Sequence, residues 1–234
     1  ARSTATPTPS RTPTATPTST PTTTPTVTPR PGRLYLPIAV REPVCHPDKQ
    51  RIDAALVIDT SSSMEERTTR GRRKLDAALE AAALFVDQLA LGAGDQAAVV
   101  FFNREAHVAQ PLTADRQALR RALAGAVVAT QTCLPCGVEA AFDQLDGPRH
   151  RPANRPVMIV LTDGLSNPRP ASEAVAAARA AREAGITVYT VGLGPQVDFD
   201  ALGLMASSSE CFHRTEDAEQ LAAIYAQIAV DIPC

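Results

Sequence analysis

The first 33 residues contain no Asp and no Glu, and Val27 is their only large apolar side chain. Pro (8), Thr (13) and Ser (3) make up most of this stretch, and its prolines recur at every fourth position. Such a composition cannot bury enough apolar surface to offset the entropy lost on ordering, and it favours an extended chain. We therefore predict a disordered Thr/Pro-rich linker or stalk at 1–33, a connecting strap at 34–49 and one domain at 50–234.

The sequence also lacks a basic stripe and a long apolar run. Residues 34–234 carry 19 basic and 25 acidic side chains, a net charge of −6. We expect no nucleic-acid binding, because phosphate neutralisation supplies much of that affinity. No apolar run approaches the roughly 18 residues of a membrane span. The N-terminus does not show the residue order of a signal peptide, so we expect any such segment to lie upstream of Ala1 or to have been removed.

Two common enzyme signatures are missing as well. Neither Gly-x-Ser-x-Gly nor a Gly-rich phosphate-binding loop is present. The run Asp59-Thr60-Ser61 lacks the second Asp that a haloacid-dehalogenase-type phosphatase requires. We therefore predict that the chain is not an enzyme, and that Asp59 is not a nucleophile.

The chain has five cysteines, an odd number, so at least one thiol is unpaired or forms an intermolecular bond. Cys45 precedes the first predicted strand and Cys234 is the last residue, so a bridge between them would close nearly the whole domain. The chain-entropy treatment assigns such a loop roughly 5 kcal/mol. We predict this bridge, and Cys211 as a buried free thiol.

Cys133 and Cys136 form a Cys-x-x-Cys pair at the start of a predicted helix. A local disulfide is the simplest interpretation. Thiol-disulfide oxidoreductases also use this pattern, because a helix N-terminus lowers the pKa of a thiol. A zinc site would need two more ligands, and the four histidines are scattered along the sequence.

From Ile52 onward, short β-rich runs alternate with longer Ala/Leu-rich helical periods, which is typical of a parallel sheet with crossover helices. The run at 107–110 follows the second strand after a short turn, so we expect it to be antiparallel at an edge. The predicted strands are Asp53–Ile58, Gln96–Phe102, His107–Gln110, Val157–Leu161, Thr187–Val191 and Cys211–Arg214. The predicted helices are Lys74–Leu91, Arg116–Ala124, Val138–Leu145, Ser172–Ala184, Phe199–Ala206 and Ala218–Val230.

Two of the predicted central strands end in carboxylates. Asp59 closes the first strand and is followed by hydroxyls at Ser61 and Ser63, while Asp163 closes the fourth in Thr-Asp-Gly. Ligands of open α/β sheets bind outside the carboxyl ends of the strands. Neither aspartate has a Lys or Arg as a sequence neighbour, so two unpaired carboxylates would repel there. A divalent cation in a shell of oxygen ligands would remove that repulsion.

These residues resemble the von Willebrand factor type A domain, also called the integrin inserted domain. Its metal-ion-dependent adhesion site (MIDAS) is Asp-x-Ser-x-Ser, a later Thr and a later Asp, matched here by Asp59, Ser61, Ser63 and Asp163. For the Thr we choose Thr132, with Thr130 as the second candidate. Relatives usually have Gly-Gly-Thr at this loop, whereas this chain has Thr-Gln-Thr. The resemblance covers about 50–233 and implies a doubly wound six-stranded α/β sheet of order 3-2-1-4-5-6, with the third strand antiparallel and helices on both faces.

The resemblance also implies a function. Ser61 and Ser63 would bind Mg²⁺ directly, with Mn²⁺ or Ca²⁺ as alternatives, while Asp59 and Asp163 would act mostly through waters. A protein partner would then supply an Asp or Glu carboxylate to the metal. We expect a monomeric adhesion or protein-binding module, secreted or displayed at a bacterial cell surface. A surface spacer that binds no metal remains an alternative, and the oxidoreductase based on Cys133 and Cys136 is a third.

Overall fold

The computed structural model describes residues 50–68 and 70–232. The predicted linker at 1–33 and the strap at 34–49 lie outside these residues. So does the predicted bridge between Cys45 and Cys234.

Six strands form a single sheet in the order β3-β2-β1-β4-β5-β6. All neighbouring strands are parallel except β2 and β3, which are antiparallel. The predicted fold class, strand order and antiparallel edge strand are therefore confirmed. The strands are β1 (Ile52–Asp59), β2 (Gln96–Phe102), β3 (Ala106–Thr113), β4 (Arg155–Thr162), β5 (Thr187–Leu193) and β6 (Phe212–Thr215).

Helices cover both faces of this sheet, and the side chains of β1 show how the core is divided. Leu56 and Ile58 point into one apolar cluster, whereas Ala55 and Val57 point into the other, as the period of two in a strand requires. Residues of α1, α2 and α6 complete the first cluster, and residues of α3, α4 and α5 complete the second. The helices are α1 (Lys74–Gln88), α2 (Arg116–Ala124), α3 (Leu134–Leu145), α4 (Ala171–Glu183), α5 (Phe199–Met205) and α6 (Leu221–Asp231).

The predicted end of α1 at Leu91 was wrong, because the helix ends at Gln88. Leu89 has an extended backbone, and the next residues form a short 3₁₀ turn. The guanidinium of Arg116 donates to the carbonyls of Val86 (2.6 Å) and Leu89 (3.0 Å), which satisfies acceptors at the end of the helix. The apolar pattern continues past α1 because Leu91, in the 3₁₀ turn, is buried in the core without belonging to the α-helix.

Several further boundaries differ from the sequence prediction. Helix α3 begins at Leu134 rather than Val138, because Pro135 lies in its first turn, where its fixed φ is suitable and no N–H is needed. Strand β6 begins at Phe212, and Cys211 belongs to the preceding 3₁₀ turn. Helix α6 likewise follows a separate 3₁₀ turn at Ala218–Gln220.

Close packing of α3 on the sheet depends on Gly137. A Cβ at this position would lie 2.8 Å from Cδ1 of Phe102 and 3.0 Å from Cγ1 of Val57. The absence of a side chain therefore lets the helix approach β1 and β2 at the point where both strands end.

The edge strand β3 is less regular than its neighbours. It contains Pro111, and its pairing with β2 shifts register between Ala97 and Val99 and again between Val99 and Val100. Proline is tolerated at such an edge because its missing N–H costs no ladder hydrogen bond there. Separately, none of the helices in the described ranges is both long and apolar enough to cross a membrane.

Candidate metal centre at the carboxyl ends of β1 and β4

The first part of the site is the turn that follows β1. Asp59 Oδ1 accepts a hydrogen bond from the backbone N–H of Ser61 (2.8 Å), which fixes the carboxylate as the chain leaves the strand. The hydroxyls of Ser61 and Ser63 lie 2.9 Å apart. Met64, fully buried, anchors the 3₁₀ turn Ser62–Glu65 in the core. The turn thus holds two hydroxyls beside the carboxylate.

The second part comes from the end of β4. Thr162 donates its hydroxyl to Asp59 Oδ2 (2.6 Å), so both oxygens of that carboxylate have a protein donor. Asp163 Oδ1 accepts a hydrogen bond of 2.5 Å from the hydroxyl of Ser63. These contacts join the two metal-site segments through side chains that are 100 or more residues apart in sequence.

The third part is the loop before α3. The backbone of Thr132 exchanges two hydrogen bonds with Asn167, of 3.0 and 2.9 Å, which pairs this loop with the one that follows Asp163. A Cβ on Gly164 would lie 3.6 Å from Thr132 Oγ1 and 3.8 Å from Ser63 Oγ, so both hydroxyls border the same small volume. Thr130 is exposed and does not line the cleft. The structure therefore favours Thr132 over Thr130.

Gln131 has a left-handed backbone, with φ of 72°, and it is the only non-glycine residue with positive φ among the described ones. It occupies the position of the second glycine in the Gly-Gly-Thr of relatives. A left-handed conformation costs an L-residue roughly 1 kcal/mol or more, and strain of this kind is often found at functional sites. The departure from the family pattern thus places a non-glycine residue in a strained backbone conformation.

A disulfide joins Cys133 and Cys136 directly after Thr132. The backbone N–H of Cys133 donates to the carbonyl of Asn103 (2.5 Å), which ties the loop to the end of β2 as well. Cys133 is 1% exposed. Cys211 is a buried free thiol.

Arg169 braces the loop after Asp163 against α3. Its guanidinium makes two hydrogen bonds of 2.7 Å to the carboxylate of Glu139 and one of 2.6 Å to Glu173. The hydrogen bond from Arg169 holds the pKa of Glu139 below its usual value. This bidentate pair adds a side-chain connection to the backbone pairing of Thr132 and Asn167.

The negative charge of Asp59 costs free energy in the folded protein. The residue is fully buried, and burial raises its pKa to about 6, although hydrogen bonds from Thr162 and Ser61 oppose the shift. The nearby charge of Asp163 raises the pKa further. A positive charge at the site would favour the ionised form of Asp59.

The sequence prediction that both carboxylates are unpaired was wrong for Asp163. Lys74, the first residue of α1, places its Nζ 2.9 Å from Asp163 Oδ2 and 2.6 Å from Glu66 Oε2. Burial disfavours the ammonium ion, but the hydrogen bonds to Glu66 and Asp163 outweigh that cost and hold the pKa of Lys74 above its usual value. Lys74 is one of two lysines in the chain, which is the only sequence signal that sets it apart.

The predicted site residues border an open cleft of about 510 Å³ at this edge of the sheet. Asp59 lies beneath it, fully buried, and Leu165 projects at its rim with 60% of its surface exposed. The cleft is lined by Ser61, Ser62, Ser63, Gln131, Thr132, Asp163, Gly164, Leu165, Asn167, Pro195, Gln196 and Val197.

The donor set fits a hard divalent cation. Two carboxylates and three hydroxyls converge, all of them oxygen donors of the kind that Mg²⁺, Mn²⁺ and Ca²⁺ prefer. The raised pKa of Asp59 is an independent sign, because ligand carboxylates must be deprotonated and metal binding would supply the compensation. Metal ligation by Asp59, Ser61, Ser63, Thr132 and Asp163 stays a prediction.

Comparison with known proteins agrees with this architecture. The sequence profile of the von Willebrand factor type A domain matches residues 53–227. No curated protein sequence matches the chain significantly.

Among solved structures, proximal thread matrix protein 1 from the mussel byssus, solved with a zinc-occupied MIDAS motif, has a TM-score of 0.68 and 20% identity over 80% of this chain and 48% of its own. The von Willebrand factor domain of a type V pili tip protein from Porphyromonas gingivalis has a TM-score of 0.69 and 17% identity over 79% of this chain and 95% of its own. The pilus adhesin SpaC from Lactobacillus rhamnosus GG has a TM-score of 0.67 and 17% identity over 79% of this chain and 31% of its own.

At these identities the similarities establish the fold alone. The chain spans about half the length of the mussel protein.

Proposed function

Because the chain belongs to the von Willebrand factor type A family, we propose that it is a protein-binding module that captures a partner carboxylate through a divalent cation, Mg²⁺ in the first place. The observation that carries this proposal is the convergence of five oxygen-bearing side chains beside one open cleft. A bound cation would supply a positive charge beside the cleft, to which a partner's anionic oxygen could bind.

The hydroxyls of Ser61 and Ser63 are the proposed direct ligands, because they border the cleft and lie 2.9 Å apart. Asp59 lies deeper and has donors on both oxygens, which suits a carboxylate that acts through water. Asp163 presents Oδ1 to Ser63 and turns Oδ2 away toward Lys74. Leaving the carboxylates outside the direct shell keeps the cation attractive to a partner's Asp or Glu.

We propose binding and not catalysis as the role of the described domain. The oxidoreductase alternative needs a thiol that substrates can reach, and the burial of Cys133 argues against it. The structural neighbours include a pili tip protein and a pilus adhesin, and these names support a role at the cell surface. Secretion or surface display in a bacterium, and a monomeric state, are part of the proposal.

Thermal unfolding with added cation tests the metal site. Mg²⁺, Mn²⁺ and Ca²⁺ should each be titrated, followed by reversal with a chelator. A ligand that binds only the folded state at 100 times its Kd stabilises it by about 2.7 kcal/mol. Asp59→Ala should abolish the response, whereas Asp76→Ala, which removes an exposed carboxylate paired with Arg73, should retain it. A wild-type protein that ignores all three cations would contradict the proposal.

Carboxylate capture needs a separate experiment with Mn²⁺, which is paramagnetic. The Mn²⁺-loaded protein should broaden the side-chain proton resonances of a blocked glutamate derivative, since its carboxylate would reach the metal. The matched glutamine derivative should be unaffected. Equal broadening of both probes would contradict carboxylate capture and would support a metal site that serves the fold alone.

A further inference from the structure

Lys74 contacts the candidate metal centre through Asp163 and does not line the 510 Å³ cleft. It lines a separate depression of about 130 Å³. Asp163 lies between the two, with Oδ1 toward Ser63 and Oδ2 toward Lys74. The side chain of Asp163 is 0% exposed and that of Lys74 is 17% exposed, so their contact is shielded from water.

The backbone fixes Lys74 at this position. Its N–H donates to the carbonyl of Glu66 (2.9 Å), which closes a short hairpin between the Asp-x-Ser-x-Ser turn and α1. Within that hairpin, Arg67 and Arg73 pair as an antiparallel bridge. The backbone of Lys74 is therefore held beside the segment that carries Ser61 and Ser63, and its side chain is fixed by the two carboxylates of Glu66 and Asp163.

The charges explain what the contact does. Asp59 and Asp163 repel one another at the end of the sheet, and each is fully or almost fully buried. Among the described residues, Lys74 is the only basic side chain that forms an ion pair with Asp59 or Asp163, and its partner is Asp163. Glu66, which shares the ammonium, has 62% of its side chain exposed, so water screens its charge.

We propose that Lys74 is an internal counter-cation, which neutralises Asp163 when no metal is bound and thereby weakens the affinity of the site for a divalent cation. The inference rests on the proposed cation site and adds a residue outside the predicted ligand set. Through Asp163, Lys74 lowers the electrostatic cost of the metal-free state. The same charge opposes the arrival of a second cation.

The first test is cation titration by calorimetry with Mg²⁺ and with Mn²⁺ alone. Lys74→Met should tighten binding about tenfold, the order of change expected when a unit charge touching one of the carboxylates is removed. Lys74→Arg should remain near wild type, because it keeps the charge. Arg73→Met is the matched control, since it removes the neighbouring charge, which pairs with exposed Asp76, and should leave the affinity unchanged.

The second test uses no metal. In the presence of a chelator, Lys74→Met should lower the melting temperature, because Asp163 loses its counter-charge in a buried place. In an Asp163→Asn background the same substitution should have little effect, since a neutral amide needs no compensation. If Lys74→Met alone does not fold but the double variant does, the inference is supported. If neither folds, Lys74 is needed for packing and the inference is overturned.

The outcomes separate this inference from the proposed function. Equal affinity of wild type and Lys74→Met overturns the counter-cation alone, and so does weaker binding by the variant. Cation binding by Lys74→Met without binding by wild type supports the counter-cation and contradicts the proposed function. No binding by either protein overturns both.

Discussion

Strand β1 carries a buried aspartate near each end, Asp53 near its start and Asp59 at its close, and both are 0% exposed. Asp53 Oδ1 accepts from the amide of Asn154 (2.6 Å), and Oδ2 accepts from the backbone N–H of Arg151 (2.7 Å) and lies 2.8 Å from Nδ1 of His150. The first carboxylate is thus enclosed by two donors and an imidazole nitrogen, all from one loop.

The carboxylate of Asp59 has a different set of hydrogen-bond partners. Its two donors, the N–H of Ser61 and the hydroxyl of Thr162, belong to segments that border an open cleft, and the neighbouring hydroxyls can accept as well as donate. Burial alone therefore does not mark a ligand-binding aspartate. The useful distinction is whether fixed protein donors complete the environment or leave acceptor oxygens facing a space that a cation can enter.

Asp53→Ala should have the largest effect on stability. It tests whether protein groups alone complete the environment of Asp53. The N–H of Arg151 would lose its acceptor, and the amide of Asn154 would keep only its bonds to the carbonyls of Gly94 (3.0 Å) and Ile52 (3.3 Å). Together with the space left beside His150, we expect a cost of about 4 kcal/mol in the free energy of unfolding. Urea denaturation with Mg²⁺ and with a chelator should give the same loss. Asp53→Asn, which keeps one acceptor oxygen, should lose less. A loss that shrinks when Mg²⁺ is added would break the comparison.

Asp59→Asn should act in the opposite direction, stabilising the metal-free protein by up to about 3 kcal/mol at pH 7.5. Burial raises the pKa of Asp59 from 3.8 to about 6, so the folded state binds a proton more tightly than the unfolded state does. Stability from this group is complete below pH 4 and is lost as the pH rises through about 6. The advantage of Asn over Asp should therefore vanish below pH 4 and be complete above pH 6.

Melting temperatures of both proteins between pH 4 and 8, in chelator, measure that difference. Asp76→Asn is the control, because the hydrogen bond from Arg73 holds the pKa of Asp76 below its usual value and no gain is expected. Mg²⁺ at pH 7.5 should stabilise wild type and not Asp59→Asn. A variant less stable than wild type at every pH in chelator would show that Asp59 is enclosed as Asp53 is.

Removing the Cys133–Cys136 disulfide would sharpen the comparison, because it tests what positions the loops around the cleft at the Asp59 end of the sheet. For this short loop the chain-entropy treatment gives a loss of about 2 kcal/mol on replacing both residues by Ser. We also expect weaker Mg²⁺ binding, because Thr132 directly precedes the bridge. A thiol reductant should reproduce both effects in wild type, and any effect on the double variant would report on other cysteines. Unchanged Mg²⁺ affinity would mean that hydrogen bonds alone position Thr132.

Gln131→Gly should have the smallest effect. Relief of the left-handed backbone, about 1 kcal/mol, is offset by the greater freedom that glycine has in the unfolded chain. We expect a net change within about 0.5 kcal/mol by urea denaturation, whereas Gln131→Val should be destabilised by more than that because a β-branched residue tolerates this conformation poorly. Equal stability of both variants would mean that the left-handed backbone at position 131 stores no strain. Strain would then not distinguish the Asp59 end of the sheet from the Asp53 end.

Much of the candidate site at the Asp59 end of the sheet could be predicted from the sequence, because its residues form local patterns. Asp59, Ser61 and Ser63 lie within five residues, and Asp163 follows an apolar run that is typical of a buried strand. The pairing of Lys74 with Asp163 could not be predicted, because it joins residues 89 positions apart and depends on how α1 leaves its hairpin. The enclosure of Asp53 was missed for the same reason, since its donors lie about 100 positions away.

Helix boundaries show the same limit on a smaller scale. The predicted helix begins at Val138, after Pro135 and Gly137, and both of these residues disfavour helix interiors. In the first turn of α3 the proline costs nothing, and Gly137 is required by the approach to Phe102. Only tertiary packing reveals that second requirement.

The irregular edge strand β3 has a consequence for how copies of the domain behave when they are crowded together. An exposed, regular strand can recruit a strand from a neighbouring molecule and extend the sheet across the contact. Pro111 removes a donor from β3, and its two register shifts bend the ladder away from a flat template. We therefore expect the folded domain to resist strand-by-strand polymerisation along β3 at high local concentration.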